Sequence, residues 1–431
     1  MCGIQITKKE KPNGISHRGV QHFKGDAYGW KYHFSSLPLS SNKTNLVQPL
    51  KVKNGFIFFN GEIFNYNDFG KYSSDLDYLR DLFKDNFISK RFKSEYKNWD
   101  GFWAVCYVTE KSVKMFTDPL GKKQLYHNEN GICSEIKPLL GNPIIMSDPK
   151  FGTSNTKFHR VQRCIPGDFY TYLYNSKMAF KSSNIYNINS YLKDPSNKGN
   201  LYELIDDSVK TRSLTKYNKV GLLFSGGLDS SIIAYHLIKN GIEFTPISIE
   251  NGETDQCKKM AKYFGIDPIF ISNDITEKEK VAVFRMYEHS YDLGSVIPQY
   301  LLFKKCKELN LNTVLTGDGS DELFGGYTRA IKKDTFHYDV FKELPYYHHV
   351  RIDRCSMANT VECRNPFLST PIIKKCLTMK RSERISKNIL KEIYKDKIPF
   401  VDADKKPLRP IGSKEENKSN ANKYFNYAFK Q

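Results

Sequence analysis

An apolar run followed at once by a glycine-rich loop constrains the fold of this chain more than any other feature. The run is Lys219-Val220-Gly221-Leu222-Leu223-Phe224, and the loop is Ser225-Gly226-Gly227-Leu228-Asp229-Ser230-Ser231. A helical pattern then covers residues 230–239. Glycines let the backbone approach a ligand, and a helix N-terminus offers free N–H groups and a positive dipole end. The segment therefore predicts a buried strand, a phosphate-binding loop and a helix.

Strand and helix patterns alternate on both sides of this loop. Helical spacing over 201–214 precedes it, and strand patterns at 244–249 and 268–271 enclose a helical pattern at 255–264. Alternating strand and helix units are typical of a parallel sheet with helices on both faces. The prediction for this part of the chain is a doubly wound, parallel-sheet α/β domain.

A second loop places three acidic residues among four glycines. The predicted strand Thr313-Val314-Leu315 runs into Thr316-Gly317-Asp318-Gly319-Ser320-Asp321-Glu322-Leu323-Phe324-Gly325-Gly326-Tyr327. Asp229 of the first loop would repel a phosphate unless Mg²⁺ lay between them, so a metal ion is implied. The second loop suits the same magnesium–pyrophosphate site, and the alternative is an acidic surface turn.

The first 180 residues or so have a different pattern of apolar and polar residues. Short runs rich in aromatic and β-branched residues at 56–59, 104–108 and 168–173 are bounded by Gly, Asn, Asp and Pro, which predicts strands. A helical pattern at 75–87 lies between them.

The length of 431 residues predicts two domains. A polar stretch at 181–199 is interpreted as a linker, which gives a first domain at 1–185 and a second at 200–412. Residues 413–431 are polar and are predicted to form a flexible tail.

Composition narrows the class of protein. Nine scattered cysteines without a Cys-x-x-Cys pair argue against a disulfide framework and favour the reducing cytoplasm. No signal sequence and no run of 18 apolar residues is found, so neither export nor a membrane partner is expected. The net charge of +19 suits anionic substrates or nucleic acid, but the lysines are spread over the whole chain, which favours a solvated basic surface.

Both loops resemble signatures of the glutamine-dependent asparagine synthetases and their amidotransferase relatives. Two further segments match the same family in order, at 354–368 and at Lys387-Asn388-Ile389-Leu390-Lys391. The resemblance implies an ATP-pyrophosphatase domain of the adenine nucleotide alpha hydrolase type, with ATP and Mg²⁺ as cofactors.

The same resemblance implies roles for individual residues. ATP would be bound by Leu223, Ser225, Gly226, Gly227, Asp229, Ser230, Thr316 and Gly317. The metal would be held by Asp229 and Asp321, and Lys387 would stabilise the transition state at the α-phosphorus. On the acceptor side would lie Tyr327, Glu362 and Asp318, the last of which stands where many asparagine-forming members have Glu.

The chain start carries a second candidate site. In Met1-Cys2-Gly3-Ile4, removal of Met1 would give Cys2 a thiol and a free α-amino base on one residue. The segments His17-Arg18-Gly19 and Asn60-Gly61-Glu62-Ile63-Phe64-Asn65-Tyr66 resemble the signatures of class II glutamine amidotransferases, and further matches lie at 74–75, 118–126 and 134–137. The resemblance implies a glutaminase domain with the αββα Ntn-hydrolase fold.

The glutaminase resemblance also assigns roles. Cys2 would be the nucleophile, and Asn60 and Gly61 would donate hydrogen bonds to the oxyanion. Glu62 and Asp75 would bind the α-ammonium group of glutamine.

The sequence departs from the family pattern at two places in the predicted glutaminase domain. The family reads His-x-Arg-Leu, whose arginine binds the glutamine α-carboxylate, whereas this chain reads His33-Phe34-Ser35-Ser36-Leu37-Pro38. After His17-Arg18-Gly19 it has Val20-Gln21 in place of Pro-Asp. An impaired glutaminase that relies on free ammonia is therefore an alternative.

The resulting hypothesis is a glutamine-hydrolysing, ATP-dependent ligase that converts L-aspartate to L-asparagine through an acyl-adenylate. The same chemistry on another small carboxylate is the main alternative. A non-catalytic protein that binds nucleic acid is a hypothesis of another class, and Cys2, Asp229 and Asp321 speak against it. The expected partners are glutamine, aspartate and ATP, without nucleic acid, and a homodimer is allowed.

Overall fold

The computed structural model describes residues 2–8, 14–39, 47–85, 87–150, 152–216, 219–290, 293–327, 336–399 and 414–429. The chain divides into two compact units. The first comprises Met1–Lys193 and Lys342–Asp353, and the second comprises Asp194–Phe341 and Arg354–Gln431.

The described residues of the first unit form two six-stranded sheets. Their strands are β1 (Cys2–Thr7), β2 (Gln21–Ala27), β3 (Trp30–Ser36), β4 (Leu50–Val52), β5 (Gly55–Ile63), β6 (Gly101–Val108), β7 (Ser112–Thr117), β8 (Tyr126–Asn128), β9 (Gly131–Cys133), β10 (Gln162–Arg163), β11 (Asp168–Leu173) and β12 (Phe180–Asn184). One sheet has the order β10-β8-β9-β1-β3-β2, and the other has β12-β11-β7-β6-β5-β4. Neighbouring strands are antiparallel throughout. The strand predictions at 56–59, 104–108 and 168–173 are confirmed.

The two sheets face each other across a single apolar core. Ile4 and Phe34 of the first sheet lie in one buried cluster with Phe58, Cys106 and Met115 of the second. The aromatic rings of Phe34 and Phe58 are 6.2 Å apart between centroids. Because side chains alternate along a strand, one face of each sheet supplies this core. The other face of the second sheet is also packed, since Phe87 lies against Phe116 of β7 and Phe169 of β11.

Three short helices accompany the sheets of the first unit, namely α1 (Asp75–Leu82), α2 (Lys90–Glu95) and α3 (Ile188–Tyr191). Ser74 caps α1 by accepting a hydrogen bond from the Asp77 backbone N at 3.2 Å. The predicted helix at 75–87 is confirmed for its first eight residues and ends before Phe83.

The prediction of a linker at 181–199 is wrong for its first half. Residues up to Asn184 form the edge strand β12, which pairs with β11. Asn187 then caps α3, and Tyr191 at the end of α3 is 3% exposed. The polar side chains of this stretch lie on an edge strand and at a helix N-cap. Polar residues are favoured at both positions, as they are in linkers.

The second unit contains the predicted parallel sheet. Its strands are β13 (Val220–Leu223), β14 (Phe244–Ile249), β15 (Ile269–Ile271), β16 (Thr313–Leu315) and β17 (Glu362–Arg364), in the order β15-β14-β13-β16-β17. All neighbours are parallel. From β13 the chain continues to β14 on one side, and β16 lies on the other. In such sheets ligands bind at the carboxyl edge where the strand order reverses, which here falls between β13 and β16.

Helices precede, separate and follow these strands along the chain, some of their residues (342–353) being part of the first unit. They are α4 (Leu201–Ser213), α5 (Leu228–Lys239), α6 (Thr254–Phe264), α7 (Glu277–Tyr287), α8 (Leu293–Glu308), α9 (Ser320–Phe324), α10 (Phe336–Glu343), α11 (His348–Met357), α12 (Thr370–Cys376), α13 (Arg381–Arg384), α14 (Asn388–Tyr394) and α15 (Lys414–Phe429). The helices predicted at 201–214, 230–239 and 255–264 are confirmed to within two residues.

The prediction of a flexible tail at 413–431 is wrong for 414–429, which form α15. Ala421 and Phe425 on this helix are fully buried. The Tyr424 hydroxyl donates a hydrogen bond to Glu277 Oε2 of α7 at 2.6 Å. Although the segment is polar on average, its aromatic residues recur at helical spacing and give one apolar face that packs.

All nine cysteines are free thiols and are buried. Within the described part of the chain, no helix combines the length and the apolar character that a bilayer crossing requires.

Candidate functional site

Cys2 is the first residue of β1 and is 6% exposed. Strand register places it opposite Ser36 of β3, and its Sγ lies 3.8 Å from Ser36 Oγ. Its backbone N donates a hydrogen bond to Asn60 Oδ1 at 3.0 Å. Asn60, which the sequence predicts to donate to the oxyanion, is therefore hydrogen-bonded to the backbone of Cys2.

The Asn60 side chain presents a buried donor next to Cys2. Its Oδ1 is engaged by the Cys2 backbone, and its Nδ2 has no hydrogen-bond partner among the described residues. A buried N–H group without a partner is costly, and such a group points to a ligand that satisfies it. The neighbouring Gly61 has φ +157°, and a Cβ there would collide with the Phe102 carbonyl oxygen. Only glycine fits at this point of β5.

The two carboxylates predicted to bind an ammonium group are brought to the end of β5. Asp75 is the first residue of α1 and is 9% exposed. Its Oδ2 accepts a hydrogen bond from the Ile63 backbone N at 3.2 Å, which ties α1 to β5. Glu62 is the residue before Ile63 and is half-buried. Asn60, Gly61, Glu62 and Asp75 thus lie along one strand and the helix fastened to it.

The strand opposite Cys2 has no arginine, as the sequence shows. Ser35 Oγ lies 3.2 Å from His33 Nε2 and 3.2 Å from His22 Nδ1. Burial, together with the charges of Lys24 and His22, lowers the pKa of His33 to about 4. His33 is therefore neutral at pH 7 and does not supply the positive charge that the missing guanidinium would carry.

The glycine-rich loop of the second unit follows β13 directly and opens α5. Ser225 Oγ lies 3.2 Å from Ser230 Oγ and accepts a hydrogen bond from the Gly227 backbone N at 3.3 Å. Gly226 has φ +72°, and a Cβ there would lie 2.5 Å from Cys257 Cα. Gly227 is the N-cap and has no side chain to cap the helix. The loop thus leaves the first turn of α5 available to an anion.

Two carboxylates from different loops converge on one lysine. Lys387 Nζ lies 2.8 Å and 2.6 Å from the two carboxylate oxygens of Asp229 and 2.6 Å from Asp321 Oδ1. Ser320 Oγ also donates to Asp229 Oδ1 at 2.8 Å. The side chains of Lys387, Asp229 and Asp321 are 8%, 12% and 13% exposed. The structure therefore joins three residues that are up to 158 positions apart in the sequence.

Close backbone contacts make this convergence possible. A Cβ at Gly317 would lie 2.8 Å from Asp229 Cβ, so only glycine lets the two loops meet here. Ser386 and Lys387 both have left-handed backbones, with φ of 57° and 60°. Non-glycine residues in this region cost about 1–3 kcal/mol each. This strain orients Lys387 toward the carboxylates, and the Ser386 backbone N is anchored on the Gly325 carbonyl at 3.0 Å.

The residues predicted for the acceptor side have two separate sets of partners. The Tyr327 hydroxyl donates to Glu322 Oε1 at 2.6 Å, whereas Glu362 forms a buried ion pair with Arg364. Burial, together with the charge of the neighbouring Asp321, raises the pKa of Glu322 to about 7. The sequence reasoning missed Glu322, although it follows Asp321 directly in the acidic loop.

The remaining predicted residues lie at the carboxyl ends of the two central strands. Leu223 ends β13, and Thr316 follows β16. Thr316 Oγ1 donates to Asp318 Oδ2 at 2.6 Å and accepts from Asn365 Nδ2 at 3.0 Å. Among the described residues there is no group of three or more His, Cys, Asp and Glu side chains arranged to hold a metal ion.

Known families can now be compared with this architecture. A parallel α/β sheet with two glycine-rich, acidic loops at its carboxyl edge defines a class of α/β proteins with a ligand site at the strand-order reversal. Residues 200–345 and 332–420 match the family model described as asparagine synthase. The matches together span 200–420, more than half of the 431 residues. The chain belongs to the asparagine synthase family.

Individual relatives are distant. The asparagine synthetase (glutamine-hydrolyzing) of Gallus gallus is 25% identical over 412 residues, which cover 81% of this chain and 71% of that protein. The protein of the same name from Asparagus officinalis is 27% identical over 226 residues, covering 45% of this chain and 37% of that protein. A solved structure of the allosteric regulatory enzyme of purine biosynthesis aligns at 14% identity with a TM-score of 0.32, covering 63% of this chain and 80% of that one. A TM-score this low carries no argument.

Proposed function

We propose that this chain is an ATP-dependent amidotransferase that converts L-aspartate to L-asparagine with ammonia released from glutamine. Family membership and relatives named asparagine synthetase support an amidating ligase. The observation that carries the proposal is the convergence of Asp229 and Asp321 on one cation, Lys387 Nζ, beside the loop that opens α5.

In the second unit, the loop beginning at Ser225 binds the phosphates of ATP. The hydroxyls of Ser225 and Ser230 lie together at the start of α5, where the helix dipole favours negative charge. The adenosine lies along Leu223, Thr316 and Gly317 at the carboxyl ends of β13 and β16.

The residues present fit a magnesium ion. Asp229 and Asp321 offer carboxylate oxygens that already lie within 2.8 Å of one positive charge. Mg²⁺ is commonly bound by one or two carboxylates together with substrate phosphates. The ion would neutralise the charge that develops on the departing pyrophosphate.

The synthetase reaction has two steps. An oxygen of the aspartate side-chain carboxylate forms a bond to the α-phosphorus of ATP, and the bond to pyrophosphate breaks. The nitrogen lone pair of ammonia then attacks the acyl carbon, AMP leaves and a proton is lost. Lys387 stabilises the transition state of the first step, and Tyr327, Glu362 and Asp318 line the acceptor side.

In the first unit, the thiol of Cys2 attacks the side-chain amide carbon of glutamine. The α-amino group, once Met1 is removed, accepts the thiol proton and passes it to the departing ammonia. The oxyanion is bound by Asn60 Nδ2, the buried donor without a partner, and by the Gly61 N–H. Glu62 and Asp75 bind the α-ammonium group. Water then hydrolyses the thioester and releases glutamate.

Pyrophosphate release across a panel of small carboxylates, with glutamine or ammonium as nitrogen source, tests this proposal. We expect aspartate to give pyrophosphate, AMP and asparagine in equal amounts. Pyrophosphate release with another acid and none with aspartate would mean that the other acid is the acceptor. The proposed enzyme class would then still hold. No release with any carboxylate would refute the ligase itself.

An ammonia-dependent synthetase is the second candidate, and one observation favours it. The position opposite Cys2 is Ser36, and the nearby His33 is neutral, so neither residue supplies a cation for the glutamine carboxylate. Under this candidate, ammonium supports full turnover while glutamine gives no glutamate.

A further inference from the structure

A buried cluster of charges in the first unit contains a residue from far along the chain. Arg18 is fully buried and forms a bidentate ion pair with Asp353. Arg18 Nη1 donates to Asp353 Oδ2 at 3.0 Å, and Arg18 Nη2 donates to Asp353 Oδ1 at 2.9 Å. Lys123 Nζ donates to Asp353 Oδ1 at 2.8 Å. Arg18 and Asp353 are 335 positions apart in the sequence.

A second carboxylate completes this cluster on the other side of the guanidinium. Glu135 Oε1 accepts a hydrogen bond from Arg18 Nη1 at 2.9 Å and lies 2.8 Å from His17 Nε2. Burial raises the pKa of Glu135, but Lys137, His17 and Arg18 outweigh burial and hold it well below its usual range. Both carboxylates of the cluster therefore compensate buried cations, and removing either leaves an excess of positive charge.

The guanidinium of Arg18 also contacts the nucleophile segment. Arg18 Nε donates to the Cys2 carbonyl oxygen at 3.3 Å. A Cβ at Gly3 would lie 2.9 Å from Arg18 Cδ, so the arginine packs directly on the backbone that follows Cys2. Arg18 thus contacts the backbone of both Cys2 and Gly3. Arg18 belongs to the family signature, but no part of the sequence pointed to its carboxylate partner.

The segment that supplies Asp353 is held firmly in the first unit. Residues 342–353 belong to that unit, although their neighbours on both sides in the sequence belong to the second. His349 Nδ1 lies 2.6 Å from the Leu120 carbonyl oxygen, and Gln124 Nε2 donates to the Pro345 carbonyl oxygen at 3.0 Å. Asp353 is 2% exposed, so its carboxylate is part of the interior of this unit.

We propose that Asp353 is a positioning residue for Cys2, which it affects through Arg18. Its carboxylate fixes both prongs of the guanidinium, and Arg18 Nε fixes the Cys2 carbonyl. A two-pronged guanidinium–carboxylate pair is strong and specific in geometry, so the loss of one carboxylate charge displaces Arg18 toward Glu135. This inference rests on the proposed role of Cys2 in glutamine hydrolysis and adds a residue from the synthetase part of the sequence to that site.

The test compares three variants of the full-length chain. Asp353→Asn removes the charge, Asp353→Glu keeps it with one more methylene, and Asp148→Asn is the matched control. Asp148 pairs with Lys157 Nζ at 2.7 Å in the same unit but is 40% exposed. Two readouts are measured, namely the pH profile of Cys2 alkylation by iodoacetamide, located by peptide mass mapping, and glutamate release from glutamine.

For Asp353→Asn we expect kcat for glutamate release to fall about tenfold or more, with KM for glutamine within about twofold, because positioning acts on the reacting atoms. The alkylation profile of Cys2 shifts, Asp353→Glu recovers part of the loss, and Asp148→Asn matches the wild type. Ammonium-dependent pyrophosphate release is unchanged in all three variants.

The outcomes separate this inference from the proposed function. If the wild type releases no glutamate, a Cys2 alkylation profile that moves in Asp353→Asn and not in Asp148→Asn still supports the inference. An alkylation profile and a kcat equal to those of the wild type overturn it. If tryptophan fluorescence shows Asp353→Asn to be unfolded, Asp353→Glu decides: altered Cys2 reactivity in the folded variant supports the inference, and wild-type reactivity overturns it.

Discussion

Replacing Lys387 with methionine removes the cation that separates two buried carboxylates. Asp229 Oδ2 and Asp321 Oδ1 each lie 2.6 Å from Lys387 Nζ, so these oxygens are at most twice that distance, about 5.2 Å, apart. Two negative charges at that distance repel by about 3 kcal/mol at an effective dielectric constant of about 20. Loss of one partner from a buried pair costs about 3–5 kcal/mol in measured cases. We therefore expect Lys387→Met to lower the free energy of unfolding of the second unit by about 3 kcal/mol.

Magnesium should reverse much of this loss, because Asp229 and Asp321 become available to it. A ligand that binds only the folded state stabilises that state by RT ln(1 + [L]/Kd). Without nucleotide, Mg²⁺ should stabilise Lys387→Met more than the wild type, in which the lysine already occupies the space between the carboxylates. Pyrophosphate release should be lost in the variant with or without magnesium.

Amide hydrogen exchange of residues 220–239 measures this stability in the second unit. Trp30, Trp99 and Trp103 are the three tryptophans of the chain and all belong to the first unit, so their fluorescence in urea provides an internal reference that should not change. Lys395→Met is the matched control, since Lys395 is 57% exposed and pairs with Glu392 on the same helix end. Equal exchange protection in Lys387→Met and the wild type, or equal stabilisation of both by Mg²⁺, would refute the reasoning.

Three further predictions follow from the structure. Cys2→Ala should abolish glutamate release and leave ammonium-dependent pyrophosphate release intact, and full activity with glutamine would contradict the glutaminase proposal. Burial lowers the pKa of His127 to about 4 and that of His349 to about 3, from an unfolded value of 6.5. Both therefore bind more protons when unfolded, and the first unit should lose about 2 kcal/mol per histidine between pH 7 and pH 5, as measured by tryptophan fluorescence in urea. His127→Gln should remove the contribution of His127 to this loss. An unchanged dependence of the unfolding free energy on pH would contradict the lowered pKa of His127. Gly226→Ala introduces a Cβ that lies 2.5 Å from Cys257 Cα at a φ of +72°, so it should raise KM for ATP in the pyrophosphate assay, with wild-type kinetics as the contrary result.

Local patterns were sufficient to predict the parallel sheet of the second unit and to name the candidate residues. The apolar run before Ser225 and the alternation after it predicted a parallel sheet, because buried strands and amphipathic helices have different periods. Asp229, Asp321 and Lys387 were named from short motifs, and the structure brings them together. The same patterns failed at 181–191 and at 414–429, where average polarity concealed an edge strand, a helix cap and one apolar helix face.

Contacts between distant parts of the chain could not be predicted from the sequence. A motif names a residue but not its partner, since pairing depends on how the strands and loops pack. The donation from Tyr327 to Glu322 and the pairing of Arg18 with Asp353 are of this kind. The sequence by itself determined which side chains are chemically equipped for the two proposed reactions. Only the tertiary structure decided which of them share a low-dielectric interior, where a charge needs its partner within hydrogen-bond distance.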